Sequence, residues 1–190
     1  MTDLVVKSNK LVQALQTLNL NEARLLQLAI VDARETGQGL STEEPLELNA
    51  VRYAKAFNVS ADAAYLALSE AEDSLFKRQF TITNEDGTLT KSRWIQDANY
   101  RKGEGRILVT LTRVVIEHVT KIDGFEQYFT SYHLKKTADF KSVYAVRLYE
   151  LLMQWKAVGR TPAYELDRLR GQLGIGVNEY TRMEAFKRRV

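Results

Sequence analysis

Two stretches of this chain carry the same order of folding signals, and that repetition limits its architecture more than any single motif. In the first, an extended Leu46-Glu47-Leu48 is followed by Asn49, which caps a helix over 51–57, then by a turn and a longer helix capped by Ser60. On the longer helix Ala64, Leu68, Ala71 and Leu75 recur at i, i+4, i+7 and i+11, the spacing of one buried stripe. In the second stretch Tyr164-Glu165-Leu166 is the extended piece, Asp167 caps a helix over 168–173, Gly174-Ile175-Gly176 makes the turn and a last helix follows. Superposing the two sets Leu48 beside Leu166, Asn49 beside Asp167, Val59 beside Ile175 and Tyr65 beside Phe186.

A capped helix precedes each copy. Asn19, with Glu22 three residues on, forms a capping box opening a helix over 21–34 whose Leu25–Val31 run is apolar nearly all round. Ser142 opens the other, with Tyr144, Leu148, Leu151, Leu152 and Trp155 as its apolar face. Ser8 caps an earlier helix, with Leu11, Leu15 and Leu18 on one stripe. After the first copy, residues 80–83, 92–100 and 106–112 alternate as strands, with turns at Asn84-Glu85-Asp86-Gly87 and Lys102-Gly103-Glu104-Gly105. Helix, short strand, helix-turn-helix and β-hairpin is the order of a winged helix. The expected class is therefore α+β: two tandem winged-helix domains, 1–134 and 135–190, the second incomplete. No hairpin follows the last helix, so the natural protein is expected to continue past Val190.

Charge separates the two copies. Residues 135–190 hold twelve Lys/Arg against six Asp/Glu, whereas 1–134 hold fifteen against eighteen. The surplus gathers at the end: a helix over 180–190 directs Met183 and Phe186 to a core and Arg182, Lys187, Arg188 and Arg189 to solvent, beside one acid, Glu184. Forked arginine donors suit phosphates and the guanine edges of a major groove. The equivalent helix of the first copy continues Glu70-Ala71-Glu72-Asp73, which phosphate repels. Ser142 and the turn it caps can hold a phosphate through backbone N–H groups, with Lys141 adding charge. Tyr144, Trp155 and Tyr180 are spaced as core residues and not as a base-stacking platform.

At residues 144–156 (YAVRLYELLMQWK) and 180–189 (YTRMEAFKRR), and again at 19–34 (NLNEARLLQLAIVDAR), the sequence resembles the iteron-binding replication initiators of bacterial plasmids. The resemblance covers nearly the whole chain. It implies tandem winged helices, the second inserting its recognition helix into the major groove of repeated origin DNA. The first would mediate homodimerisation and add backbone contacts. Dimers would repress their own promoter, while monomers would open the origin and recruit the host initiator and helicase. Carried over residue by residue, readout falls to Arg182, Lys187, Arg188 and Arg189.

Catalysis is not expected. The two histidines, His118 and His133, form no His-x-His pair for a nicking metal site, and Glu70, Glu72 and Asp73 fit a wet helix face. Gly174-Ile175-Gly176 lacks the third glycine of a dinucleotide loop, and there is no GxxxxGK[ST]. No cofactor or metal is implied. With no cysteine, no secretory leader and no apolar run near 18 residues, a cytoplasmic protein with no membrane partner is the expectation. Trp94, Ile95, Ile107 and Val109, in the hairpin strands, are candidates for the dimer surface because a wing that leaves DNA alone offers an edge. Packing inside the domain accounts for their alternation equally well. A winged-helix transcriptional repressor or a protein-interaction module are the alternative functions.

Overall fold

The computed structural model describes residues 3–120, 128–176 and 178–189, with Glu72 and Arg189 described by backbone alone. In chain order the elements are β1 (Leu4–Ser8), α1 (Asn9–Val12), β2 (Leu15–Gln16), α2 (Leu20–Thr36), β3 (Leu46–Asn49), α3 (Ala50–Phe57), α4 (Ala61–Lys77), β4 (Gln79–Thr83), β5 (Leu89–Arg93), β6 (Ile95–Arg101), β7 (Arg106–Leu111), α5 (Arg113–Val119), β8 (Phe129–His133), α6 (Val143–Met153), α7 (Leu166–Leu173) and α8 (Met183–Arg189).

The first copy folds as its signals require. Asn49 accepts from Val51 N and Arg52 N, Ser60 accepts from Ala63 N, and the α3–α4 turn closes through Asn58 in the left-handed region. Ala64, Leu68, Ala71 and Leu75 are all buried. Strands β3, β7 and β6 form one antiparallel sheet, with the β6–β7 hairpin as the wing. Helix α2 runs through the centre, its capping box formed in both directions and its Leu25–Val31 segment buried.

Several expectations are corrected. The Ser8-capped helix is a single turn, because residues 15–16 instead pair with β4 as β2; Leu15 is exposed there. The strand expected over 92–100 breaks at Trp94. That ring turns inward onto Phe80 with centroids 4.4 Å apart, so β5 pairs with β4 in one sheet and β6 with β7 in another. Helix α7 begins at Leu166 and is capped by Glu165, whose carboxylate receives Asp167 N and Arg168 N, so Asp167 lies already within the first turn. Leu166 is therefore helical where Leu48 is in a strand, and among the described residues the second copy shows no counterpart of β3.

Trp94, Ile95, Ile107 and Val109 are each no more than 2% exposed, inside the main core. Ile95, Ile107 and Val109 face inward on β6 and β7, and Trp94 turns inward from the break between β5 and β6, so these four side chains are not themselves presented at the surface. β6 is an outer strand of the β3–β7–β6 sheet, so the edge pairing expected of this hairpin would run through its backbone and not through these side chains.

The division at residue 134 runs between elements that share packing. Val12, from α1, sits in one apolar cluster with Leu151, Leu173, Ile175 and Phe186. Helix α6 lies against α1 and β8, and α7 against β2.

Candidate nucleic-acid interface

Helix α8 stands on α7 through an arginine. Arg170 donates to Tyr180 O at 3.0 Å and to Glu179 O, and its guanidinium lies 5.5 Å from the Phe186 ring. The turn between the helices is closed by Gly174 at φ 84°, with Gly174 N bonded to Gly171 O, while Tyr180 at φ 46° redirects the chain into α8. Phe186 is buried, and Arg182, Lys187 and Arg188 are exposed around it. The structure thus brings three of the four cations together on one short solvent-facing segment; the Arg189 side chain lies outside what is described. Met183, expected in the core, is 46% exposed: it opens α8, and Phe186 is the residue of that helix packed into the cluster with Val12, Leu151, Leu173 and Ile175.

Ser142 accepts from Tyr144 N at 3.2 Å, and with exposed Lys141 it borders a cleft of about 500 Å³ that reaches residues 17–20, Gly174, Gly176 and Glu179. Tyr144 and Tyr180 pack edge to face at 6.3 Å, so the start of α6 and the entry to α8 are neighbours. Glu179 is already engaged with Gly176 N at 2.9 Å. An anion approaching Lys141 and the first turn of α6 meets two positive features and this one carboxylate.

In the recognition position of the first copy, α4 presents Glu70 and Asp73 to solvent, with Lys77 pairing Asp73 at 2.6 Å. Tyr65 closes that helix against the wing: a Cβ at Gly105 would fall 2.5 Å from its ring. Its face is acidic and apolar where α8 is cationic.

Sequence reading missed the charged residues inside. The spacing of α6 predicts an apolar face that includes Leu152, yet Leu152 is exposed and the helix buries Val146, Arg147, Glu150 and Leu151. Arg147 donates to Val12 O (2.7 Å), Ala14 O (3.2 Å), Gln172 O (3.1 Å) and Glu150 Oε2 (2.8 Å). Glu150 also receives Lys7 Nζ at 2.6 Å and the Tyr132 hydroxyl at 2.5 Å. Burial by itself would raise the Glu150 carboxyl, but the charges of Lys7 and Arg147 outweigh it and hold the group down at about 2. Burial pushes Lys7 downward against the pull of Glu150. The available signal was the spacing: Arg147 and Glu150, three apart, share a face of an otherwise apolar helix.

His118 Nδ1 lies 2.8 Å from Ser8 Oγ. Among the described residues no group of three or more His, Cys, Asp or Glu is placed to hold a metal, and no helix is long and apolar enough to cross a membrane.

Comparison with known proteins bears on this arrangement. Residues 4–153 match the family model described as initiator replication protein, WH1. A 27.6 kDa Escherichia coli protein described as uncharacterized is 22% identical over 165 residues, covering 82% of this chain and 68% of its own length. The Pi initiator protein, solved in complex with iteron DNA, matches 98% of this chain and 82% of its own at a TM-score of 0.70 and 16% identity, a likeness of fold. The WH1 domain of a replication protein isolated from a multiple sclerosis patient is 36% identical, covering 53% of this chain and 79% of that one, with a TM-score of 0.46.

Proposed function

This chain belongs to the initiator replication protein family, and on that premise we propose that it starts plasmid replication by binding repeated origin DNA through α8. One observation carries the assignment: Arg182, Lys187 and Arg188 are exposed around a buried Phe186 in a helix held at a fixed turn from α7. That is the presentation a groove-reading helix needs. Lys141 and the first turn of α6 supply a phosphate contact beside it. The Pi initiator's iteron complex, on a shared fold, supports the same target class.

The first half, whose α4 is acidic, takes the roles of self-association and DNA backbone contact. Dimers repress the promoter, and monomers at the origin engage the host initiator and helicase. The chain acts by binding, in the cytoplasm, and performs no catalytic step of its own. Footprinting on its own upstream DNA tests the reading. Evenly spaced protected repeats, with affinity falling steeply as salt rises, are expected. Protection of a lone palindrome would make it a repressor, and salt-insensitive or absent binding would leave an interaction module.

A further inference from the structure

Part of the seam between the two halves is a strip of first-half backbone, residues 12–16, and one buried guanidinium holds that strip to both α6 and α7. Arg147 is 3% exposed and makes four hydrogen bonds: to Val12 O and Ala14 O on the strip, to Gln172 O at the end of α7, and to Glu150 on its own helix. Gln13 reinforces the same seam, its amide donating to Gln154 Oε1 at 2.8 Å while its carbonyl accepts from Gln172 Nε2 at 3.2 Å. The approach leaves no slack. A Cβ at Gly174 would lie 2.8 Å from Gln16 O, and one at Gly171 would lie 3.0 Å from the Leu15 side chain. Gly174 also ends α7, so the residues that seat α7 on the first half set the direction in which the chain leaves toward α8.

We infer that Arg147 is a positioning residue for DNA binding: it fixes the placement of α8 relative to the first half, so that both halves meet the duplex as one rigid unit. Three carbonyls from two halves of the chain converge on a planar fork with five donors. Lysine, a point donor, cannot reproduce that geometry. A loosened seam would leave every DNA-facing side chain in place and remove only their common frame. The inference rests on the DNA-binding reading above.

The test uses the chain of residues 1–190, whose sequence holds no cysteine to interfere with labelling. Spin labels at Ser69→Cys on α4 and Met183→Cys on α8, both exposed positions, report the distance between the halves without DNA. The expected result is a single narrow distance distribution that broadens or splits in Arg147→Lys while circular dichroism remains that of a folded protein. On the upstream DNA fragment, Arg147→Lys is expected to lose at least tenfold in affinity. At saturating protein its hydroxyl-radical footprint should be shorter, retaining the segment under α8. Gly174→Ala perturbs the same seam without touching a charge and should act alike, which covers the case of an unstable Arg147 variant. An unchanged distance distribution, or footprints of wild-type length with affinity within twofold, overturns the inference. Narrow distances with no protection by the wild-type protein would instead overturn the DNA-binding reading, and with it the role assigned here.

Discussion

Lys7 Nζ lies 2.6 Å from Glu150 Oε1, joining the first strand to a helix 143 residues later, with both side chains buried. Removing one member of such a pair leaves a charge in a poorly solvating site, which is why buried pairs are costly to break. Arg147 and the Tyr132 hydroxyl complete the shell around Glu150, so α6 is tied to β1 and β8 through a carboxylate.

That carboxylate makes stability acid-sensitive. Its folded pKa is about 2 against an ordinary value of 4.5, so its contribution is fully present above about 4.5 and is lost as pH falls toward 2. The shift corresponds to roughly 3 kcal/mol as an order of magnitude. Urea denaturation from pH 6 to pH 2 should show this loss, and Glu150→Gln should flatten the slope while lowering stability at neutral pH. A variant with the wild-type slope would show that other carboxylates govern acid unfolding.

The first copy was legible because its signals are local: Asn19, Asn49 and Ser60 each receive a backbone N–H two or three residues ahead, and period-3.6 stripes mark the buried faces. What escaped depends on partners distant in sequence. Nothing near residue 147 announces that its guanidinium will meet carbonyls at residues 12 and 14, more than 130 positions away. The break at Trp94 depends on Phe80, and the strand at 15–16 on residues 80–81. The cations of α8 were legible as a group, since four of them lie within eight residues. The inward place of Phe186 follows from the turn that Arg170 holds.

Ile107 separates folding from association. It is 1% exposed in the main core, so Ile107→Ala should cost about 2–5 kcal/mol in chemical denaturation. Sedimentation of the folded fraction should give the wild-type self-association constant. A weakened dimer at full folding would place this strand at the partner surface after all.

Helix α7 should depend on Glu165 and not on Asp167. Glu165 accepts from Asp167 N and Arg168 N, and these bonds hold its carboxyl below the usual range, so Glu165→Ala removes the partner of two donors. Asp167→Ala leaves both of these hydrogen bonds intact. Amide exchange over 167–170 should accelerate in the first variant and stay near wild type in the second. The reverse order would restore Asp167 as the cap.

The exposed cations of α8 divide by the kind of loss each causes. A side chain that reads a guanine should cost about 1–3 kcal/mol on the cognate repeat and relax preference at one base pair when replaced by alanine. A phosphate contact should weaken all sequences alike and reduce the salt slope by about 1. Arg188, exposed on the last turn, is expected in the first class, and Arg182, which precedes the helix, in the second. Glu70→Ala and Asp73→Ala on α4 provide the contrast, since an acidic helix in the equivalent position should gain no specificity when its charge is removed. Titrations of each variant on repeat and scrambled duplexes at several salt concentrations sort the residues. If Arg182, Lys187 and Arg188 all shift the salt slope without altering base preference, α8 is a phosphate clamp and sequence is read elsewhere.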